Sequence, residues 1–294
     1  MKKSFWIIAA MAGVLFTACE NGDRDFPDFK YSAVYFAYQS PIRTITLGED
    51  PSVDNSLDNE HKCQIMATIA GVYENKKNVE IGIRVDNSLC DGYTFESTKG
   101  DIMPLPTSHY TLSDDKIVIK KGQVLGGVTV NLTDAFFNDP KATELNYVIP
   151  VVMTGVQNAD SILEGKPSVD TPDRVNKEDW EVQSKDYILY AVKYISKYDS
   201  HYLRRGVDTY TGNKTGTEVR HAANVEKDET IGGFSTLGLN KVQWERPTKD
   251  AAGKNVEANL ILTFDESGNC VITSNTEGVE ANGSGKFVAK GDKN

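Results

Sequence analysis

The side chain with the clearest assignable chemistry is the thiol of Cys19. It follows an uncharged, largely apolar run, Phe5–Phe16, that leads into small residues, and two lysines give the start a positive charge. Basic, apolar and then small residues are the parts of a secretory signal peptide. A cysteine at this point is typical of a bacterial lipobox, in which the thiol accepts a lipid. We therefore predict a signal peptide at residues 1–18 and a lipidated Cys19, with an incidental cysteine as the alternative.

Three aromatic side chains, Trp244, Tyr202 and Tyr210, are candidates for contact with a sugar ring. The apolar face of a pyranose stacks on a flat ring, and tyrosine and tryptophan also carry a polar handle. Packing in the core is the alternative for Trp244. Arg204 and Arg205 could bind an anionic group or form salt bridges with nearby acids.

Three further cysteines, Cys63, Cys90 and Cys270, remain if Cys19 is lipidated, and an odd number cannot all pair. Three buried free thiols are the favoured interpretation, and a disulfide between Cys63 and Cys90 in an oxidising envelope is the alternative. The four histidines are scattered and no C-x-x-C pair occurs, so we predict no metal site and no cofactor.

No catalytic motif is present. The chain lacks G-x-S-x-G, H-E-x-x-H and a phosphate-binding loop. Paired carboxylates could still act in glycoside hydrolysis, but 42 acidic residues offer too many pairs to nominate one. We predict no catalytic residues and no enzymatic activity, with a glycoside hydrolase as the least favoured alternative.

The charge of the chain excludes one class of partner. The formal net charge is −10, and removal of residues 1–18 leaves 30 basic against 42 acidic residues, or about −12. Nucleic-acid binding requires a basic surface, so we predict no nucleic-acid partner. The apolar run near the start is shorter than the roughly 20 residues that cross a bilayer as a helix.

The elements that would hold these residues are strands. After a short acidic tether at 19–29, residues 30–157 alternate apolar and polar side chains, most regularly in Val79–Val85, which predicts a two-sheet, immunoglobulin-like sandwich. Residues 158–185 contain two prolines and many charges and are interpreted as a linker.

Residues 186–294 predict a second, antiparallel β domain. It opens with Tyr187–Ile195, whose aromatic and β-branched residues favour a strand, although its tyrosines also fall at helical spacing. Further on, Asp265–Asn269 is a strong hairpin signal between two apolar runs. The whole chain is therefore predicted to be all-β.

The order of these features resembles the two-domain Bacteroidetes surface lipoproteins of glycan-utilisation loci. The residues that carry the resemblance are Asn146–Val151, Ala159–Gly165 and Asp186–Gly206. The resemblance implies an immunoglobulin-like domain of unknown function followed by a lipocalin-like sheet or partial barrel. Proteins of this kind continue with further strands after a segment like Gly285–Gly291, so we expect the second domain to be open or incomplete.

The resemblance also implies a place and a role. It implies a lipid-anchored protein in the outer membrane, facing the cell exterior, that binds a glycan without catalysis, and possible assembly with an outer-membrane transporter. The alternative is a structural or adhesion lipoprotein that binds a protein partner. Cys19 would supply the contact with the membrane.

Overall fold

The computed structural model describes residues 29–50, 52–200, 202–212, 214–221, 230–231, 234–249 and 252–289. These residues form an all-β protein with a few short helical turns. In chain order, the first strands are β1 (Ala33–Tyr35), β2 (Ile42–Thr46), β3 (Lys62–Ala70), β4 (Val79–Val85), β5 (Met103–Pro104), β6 (Tyr110–Leu112), β7 (Lys116–Ile119), β8 (Leu125–Leu132), β9 (Tyr147–Gln157), β10 (Ser161–Ile162), β11 (Lys166–Pro167), β12 (Trp180–Val182) and β13 (Tyr187–Ile195).

The remaining strands form the second domain. They are β14 (Tyr202–Leu203), β15 (Arg205–Tyr210), β16 (Gly216–His221), β17 (Thr230–Ile231), β18 (Phe234–Gly238), β19 (Lys241–Lys249), β20 (Asn255–Phe264), β21 (Asn269–Ser274) and β22 (Gly283–Lys286). The α-helical turns are Ser56–Asn59 and Asp134–Phe137, and the 3₁₀ turns are Asn87–Cys90, Pro140–Thr143 and Lys177–Asp179.

The first domain is a sandwich of two sheets. One sheet has the strand order β10-β1-β3-β8-β6, and the other has the order β2-β13-β9-β4-β7 with β5 paired to β9. On β3 every second residue is buried, from Cys63 to Ile69, and on β4 the same holds for Val79, Ile81 and Ile83. These side chains meet in one core because period-two alternation puts the apolar set of each strand on the inner face.

Strand β13 belongs to the sandwich. It is a strand, as predicted, and the helical alternative is wrong. It pairs antiparallel with β9 and parallel with β2, whereas the sequence analysis placed it at the start of the second domain. Both neighbouring strands, and segments that cover the outer face, bury it almost completely, which explains its unbroken apolar run. The domain boundary therefore lies near residue 196.

The segment assigned as a linker, 158–185, is part of the sandwich as well. Its β10 pairs in parallel with β1, and Lys185 N donates to Leu163 O. The chain then re-enters the second sheet as β13. The two domains meet at a buried polar joint, where the backbone N–H of Ser196 donates to Thr236 Oγ1 at 2.9 Å and Thr236 Oγ1 donates to Asp199 at 2.7 Å.

The second domain is built on an antiparallel sheet with neighbour order β18-β19-β20-β21-β22. The predicted hairpin at Asp265–Asn269 is confirmed: Asp265 N donates to Asn269 O, and Gly268 supplies a positive φ of 78°. Among the described residues β18 and β22 are the edges of this sheet, and the expectation of an open or incomplete domain stays a prediction. Its core centres on Tyr198 and Phe264, whose rings stack at 3.8 Å.

Immunoglobulin-like and lipocalin-like topologies stay predictions for the two domains. Within the described part of the chain, we find no helix with the length and apolar character needed to span a bilayer.

Candidate ligand-binding surface

The candidate surface lies where the β15–β16 hairpin meets strand β19. In the hairpin, Asp208 is directly opposite Glu218, and Arg220 is opposite Gly206. Alternation therefore places Asp208, Tyr210, Glu218 and Arg220 on one face. Their contacts with β19 show that this face is turned towards the five-stranded sheet.

An aromatic row forms the centre of the surface. Trp244 on β19 and Phe234 on β18 are direct cross-strand partners, and their rings are parallel within 5° at 5.6 Å. Tyr202 meets Phe234 edge-on at 5.0 Å. Tyr202 and Trp244, two of the three predicted ligand residues, are thus brought together through Phe234, a residue that the sequence analysis did not single out. All three rings are half-buried.

Two arginines lie over Trp244. The guanidinium carbons of Arg204 and Arg246 are 5.8 and 5.5 Å from its ring centroid, within the range of a cation–π contact. The tryptophan is therefore in contact with cations as well as with a neighbouring ring. A sugar that approached this surface would meet aromatic edges and guanidinium groups together.

Asp208 ties the arginines into one network. It accepts from Arg204 Nη2 at 2.6 Å and from Arg220 Nε at 2.6 Å, and Arg246 Nη2 is 3.5 Å away. The hydrogen bond from Arg220 and the charges of all three arginines hold the pKa of Asp208 below its usual range. With Glu218 included, three arginines face two carboxylates among the described residues, an excess of cations in a chain of net charge −10.

Tyr210, the third predicted residue, lies at the other side of this network. Its hydroxyl donates to Glu218 at 3.0 Å, and Lys214 Nζ lies 3.7 Å from the centroid of its ring. It reaches the aromatic row only through Asp208 and the arginines. Of the predicted arginine pair, Arg204 points into the network and forms a salt bridge, whereas Arg205 is exposed.

The favoured interpretation of the three cysteines as buried free thiols is confirmed, and the alternative disulfide between Cys63 and Cys90 is absent. Cys63, Cys90 and Cys270 are buried free thiols. Cys63 lies in the core between the two sheets, while Cys90 packs with Val148 and Ala191 on the outer face of the second sheet. A layer of the sandwich separates the two sulfur atoms. Burial raises the pKa of both thiols to about 11, so neither is a reactive thiolate at neutral pH.

A hydroxyl, an imidazole and a carboxylate lie in a row in the first domain. Ser108 Oγ is 3.0 Å from His109 Nδ1, and His109 Nε2 is 3.0 Å from Asp139. Asp139 also accepts from the Tyr147 hydroxyl at 2.7 Å and from the backbone of Lys141. Burial opposes ionisation of Asp139, but these hydrogen bonds outweigh it and lower its pKa. The carboxylate therefore ties the 134–143 turns to β9.

The described residues give little support for a metal site or for an enclosed ligand pocket. Among the described residues, no group of three or more acidic, histidine or cysteine side chains could hold a metal ion. A cleft of about 260 Å³ at the domain joint is lined by Leu47, Tyr198, Phe264 and Glu266, among others. Its volume lies below the roughly 300–1,000 Å³ of ordinary ligand pockets. Cys19 lies outside the described residues.

Comparison with known proteins gives two family models. Residues 29–160 match a model described as an N-terminal domain, and residues 197–294 match DUF5627, a domain of unknown function. The boundary between them agrees with a sandwich that ends after β13. None of the curated proteins compared with the chain matches it.

The similar solved structures include a relative of high sequence identity. A Bacteroides ovatus protein of unknown function is 46% identical, with a TM-score of 0.84 over 91% of this chain and 84% of its own. A multidomain B. ovatus protein that includes DUF1735 matches at 13% identity and a TM-score of 0.41 over 84% and 72% of the two chains. An auxiliary nutrient binding protein from Bacteroides thetaiotaomicron matches at 11% and 0.36 over 81% and 70%. The last two likenesses are too weak to bear on the ligand.

Proposed function

We propose that this chain is a non-catalytic binding protein for carbohydrate. It belongs to the family of the B. ovatus protein with which it shares 46% identity. The binding surface in this proposal is the aromatic row of Tyr202, Phe234 and Trp244 with its arginines. Lipidation of Cys19 holds the protein in the outer membrane, facing the cell exterior, as part of a glycan-uptake system.

One observation carries the choice of ligand. An aromatic row and a cationic cluster lie side by side on a half-exposed face of an acidic protein. Aromatic rings accept the apolar face of a sugar, and guanidinium groups donate paired hydrogen bonds to carboxylate or sulfate. The combination favours an acidic sugar, such as a uronic acid or a sulfated hexose, over a neutral one.

Arg246 is the arginine best placed to contact a ligand. Its side chain is one-third exposed, against 17% for Arg204 and Arg220, and its contact with Asp208 is the longest of the three. A bound carboxylate could pair with Arg246 while the other two arginines keep Asp208 in place. Substitution of this residue should therefore affect binding more than folding.

The test is isothermal titration of the mature chain with polygalacturonate and chondroitin sulfate oligosaccharides, and with neutral xylan oligosaccharides as reference. We expect binding of an acidic ligand, and a loss of about tenfold or more in Arg246→Ala, since a hydrogen bond to a charged group contributes ~1.5–3 kcal/mol. Lys241→Ala is the matched control, because Lys241 is an exposed cation on β19 away from the cluster.

The outcomes separate the parts of the proposal. Equal losses in Arg246→Ala and Lys241→Ala would place the site elsewhere. Binding of xylan alone would retain a carbohydrate function but refute the role of the arginines. If no glycan binds and a purified envelope protein does, the protein is an adhesion or structural component.

A further inference from the structure

The end of the sandwich at which the described chain begins has an unusual surface. It consists of the residues that lead into β1, the loop between β3 and β4, and the loop between β7 and β8. These segments are neighbours because Ala33 pairs with Ala70, and Val79 pairs with Ile119. We call residues 29–32, 71–78 and 120–124 the tether end.

Exposed aromatic side chains project from the tether end. Phe29, Tyr31 and Tyr73 are each 60% exposed or more, and the rings of Phe29 and Tyr73 lie 5.5 Å apart. Val124 in the neighbouring loop is 46% exposed. Single exposed apolar residues are ordinary, but several at one end of a domain indicate a surface that meets something less polar than water.

Five exposed lysines surround these aromatics. They are Lys30, Lys76, Lys77, Lys120 and Lys121. Among the described residues, the acidic side chains close to them are Glu74, Glu80 and Asp160. Asp160 is already hydrogen-bonded to Ser32, and Glu80 forms a salt bridge with Lys116. The described part of the tether end is therefore cationic, although the whole chain has ten more acidic than basic residues.

The two lysine loops are held together rigidly. Buried Asn75 accepts from Gly122 N at 2.7 Å through its carbonyl oxygen and donates to Lys120 O at 3.2 Å through its side chain. Lys121 N donates to the side chain of Asn78 at 2.9 Å. These hydrogen bonds fix the positions of the two loops that carry four of the lysines. Such an arrangement suits contact with an extended charged surface.

The second domain leaves from the opposite end. Strand β9 runs away from Tyr147, which pairs with Val192, to Gln157, which pairs with Glu80 at the tether end. Strand β13 continues past Val192 to Ile195, where the second domain begins. Eleven residues of β9 at ~3.3 Å each separate the ends by about 35 Å.

We infer that the tether end rests on an anionic lipid surface, with its tyrosines and Phe29 in the headgroup layer and its lysines against lipid phosphates. The inference rests on the anchor in the proposed function, because Cys19 is only ten positions before Phe29. Basic residues near such a surface each contribute about fivefold in partitioning, and aromatic rings favour the interface. The segment between Cys19 and Phe29 contains four acidic residues and one arginine, so the basic residues of the tether end lie on the folded domain and not on the tether.

The test uses residues 20–294, which lack the lipid-accepting cysteine, so that acyl chains cannot cause binding. Sedimentation with vesicles of equal phosphatidylglycerol and phosphatidylcholine is compared with pure phosphatidylcholine at 0.1 M salt. We expect binding to the anionic vesicles that weakens with added salt. Lys76→Gln with Lys77→Gln should lower the partition coefficient about 30-fold, and Tyr73→Ser should lower it further. The matched control, Lys241→Gln with Lys249→Gln on β19, should change it less than twofold.

The result that would overturn the inference is no binding, binding equal on both vesicles, or equal losses in the two lysine pairs. Whether Cys19 is lipidated is tested separately, by measuring the intact mass of the protein purified from its native membrane. An acylated Cys19 with no vesicle binding removes this inference alone. Vesicle binding with an unmodified Cys19 removes the anchor and leaves the lysine surface.

Discussion

Replacement of Asp208 by asparagine should have two effects of opposite sign. The change keeps a side-chain oxygen that can accept from the arginines but removes the negative charge at the centre of three cations. The second domain should become less stable, because the three arginines then lose the charged partner that they share. The affinity for an acidic sugar should rise, because the cluster gains one unit of positive charge.

The size of the stability loss follows from the geometry. Two of the contacts are 2.6 Å long between side chains that are 17–18% exposed, and the third is 3.5 Å long. Close pairs near a protein surface interact by up to ~4 kcal/mol at an effective dielectric of about 20, but measured exposed pairs contribute only ~0–1 kcal/mol. Because Asp208 lies between these limits, we expect a loss of about 1–3 kcal/mol in the free energy of unfolding.

The pH dependence identifies the cause. The pKa of Asp208 is lower in the folded protein than in the unfolded chain, where it is about 3.9, so the carboxylate stabilises the fold above that value. As the pH falls through the folded pKa, this stabilisation disappears. The difference between the parent protein and Asp208→Asn should stay constant from pH 8 to 5 and should shrink as the pH falls from about 4 towards the folded pKa.

Urea unfolding followed by tryptophan fluorescence can measure this. In a Trp180→Phe background, Trp244 is the one tryptophan after the signal segment and reports on the second domain. Glu277→Gln, at an exposed site in the same domain, is the control and should change stability by less than 0.5 kcal/mol. A gap that is as large at pH 3 as at pH 7, or no gap at pH 7, would refute this account of the network.

Three further predictions concern buried groups and close packing. The three buried thiols should resist alkylation in the native protein at pH 8 and should all react after unfolding without reductant, as read by mass spectrometry. Asp139→Asn should lower the free energy of unfolding by ~1–3 kcal/mol at pH 7, since it weakens a partly buried acceptor for Tyr147, and this loss should shrink in acid. Gly126→Ala should cost ~1–3 kcal/mol in a urea titration, because the new methyl would lie 2.3 Å from Val118 O, whereas Gly155→Ala meets nothing within 4 Å and should be within 0.5 kcal/mol of the parent.

Local patterns predicted most of the strands but could not assign each to a sheet. The alternation in Val79–Val85 is a strand with its apolar face in the core, and the hairpin at Asp265–Asn269 is where its turn residues place it. Tyr187–Ile195 was correctly a strand, yet its partners lie about 40 residues earlier on β9 and about 150 earlier on β2. A single strand carries no record of such distant neighbours; its unbroken apolar run indicates only that both faces are covered.

Pro150 illustrates the same limit. Proline favours a sheet edge, because it cannot donate a ladder hydrogen bond. Here it lies in the middle of a central strand, and its carbonyl accepts from Asp86, just after β4 ends. The nitrogen and the carbonyl of a strand residue point to the same side. The nitrogen of Pro150 therefore points to the side where β4 has already ended. Only the register between β4 and β9 shows this.

The candidate site was predictable by residue type but not by geometry. Trp244 and Tyr202 stood out as aromatic residues in a polar region, and the structure joins them through Phe234. Asp208 could not be selected from 42 acidic residues, because its role depends on the hairpin register that places it beside Arg220. The convergence of Arg246 on the same carboxylate depends in turn on the packing of that hairpin over β19.

The distribution of charge predicts which end of the molecule would face an anionic membrane. Its acidic surface is repelled by an anionic membrane, so the cationic tether end is the part that can approach one with a gain in free energy. The arginine cluster is the other cationic site described above, but it belongs to the domain that begins at the far end of the sandwich. Attraction of the lysines and repulsion of the acidic surface would turn the long axis of the sandwich out of the plane of the membrane. In the proposed arrangement, the second domain would begin about 35 Å from the lipid and its ligand surface would face the medium.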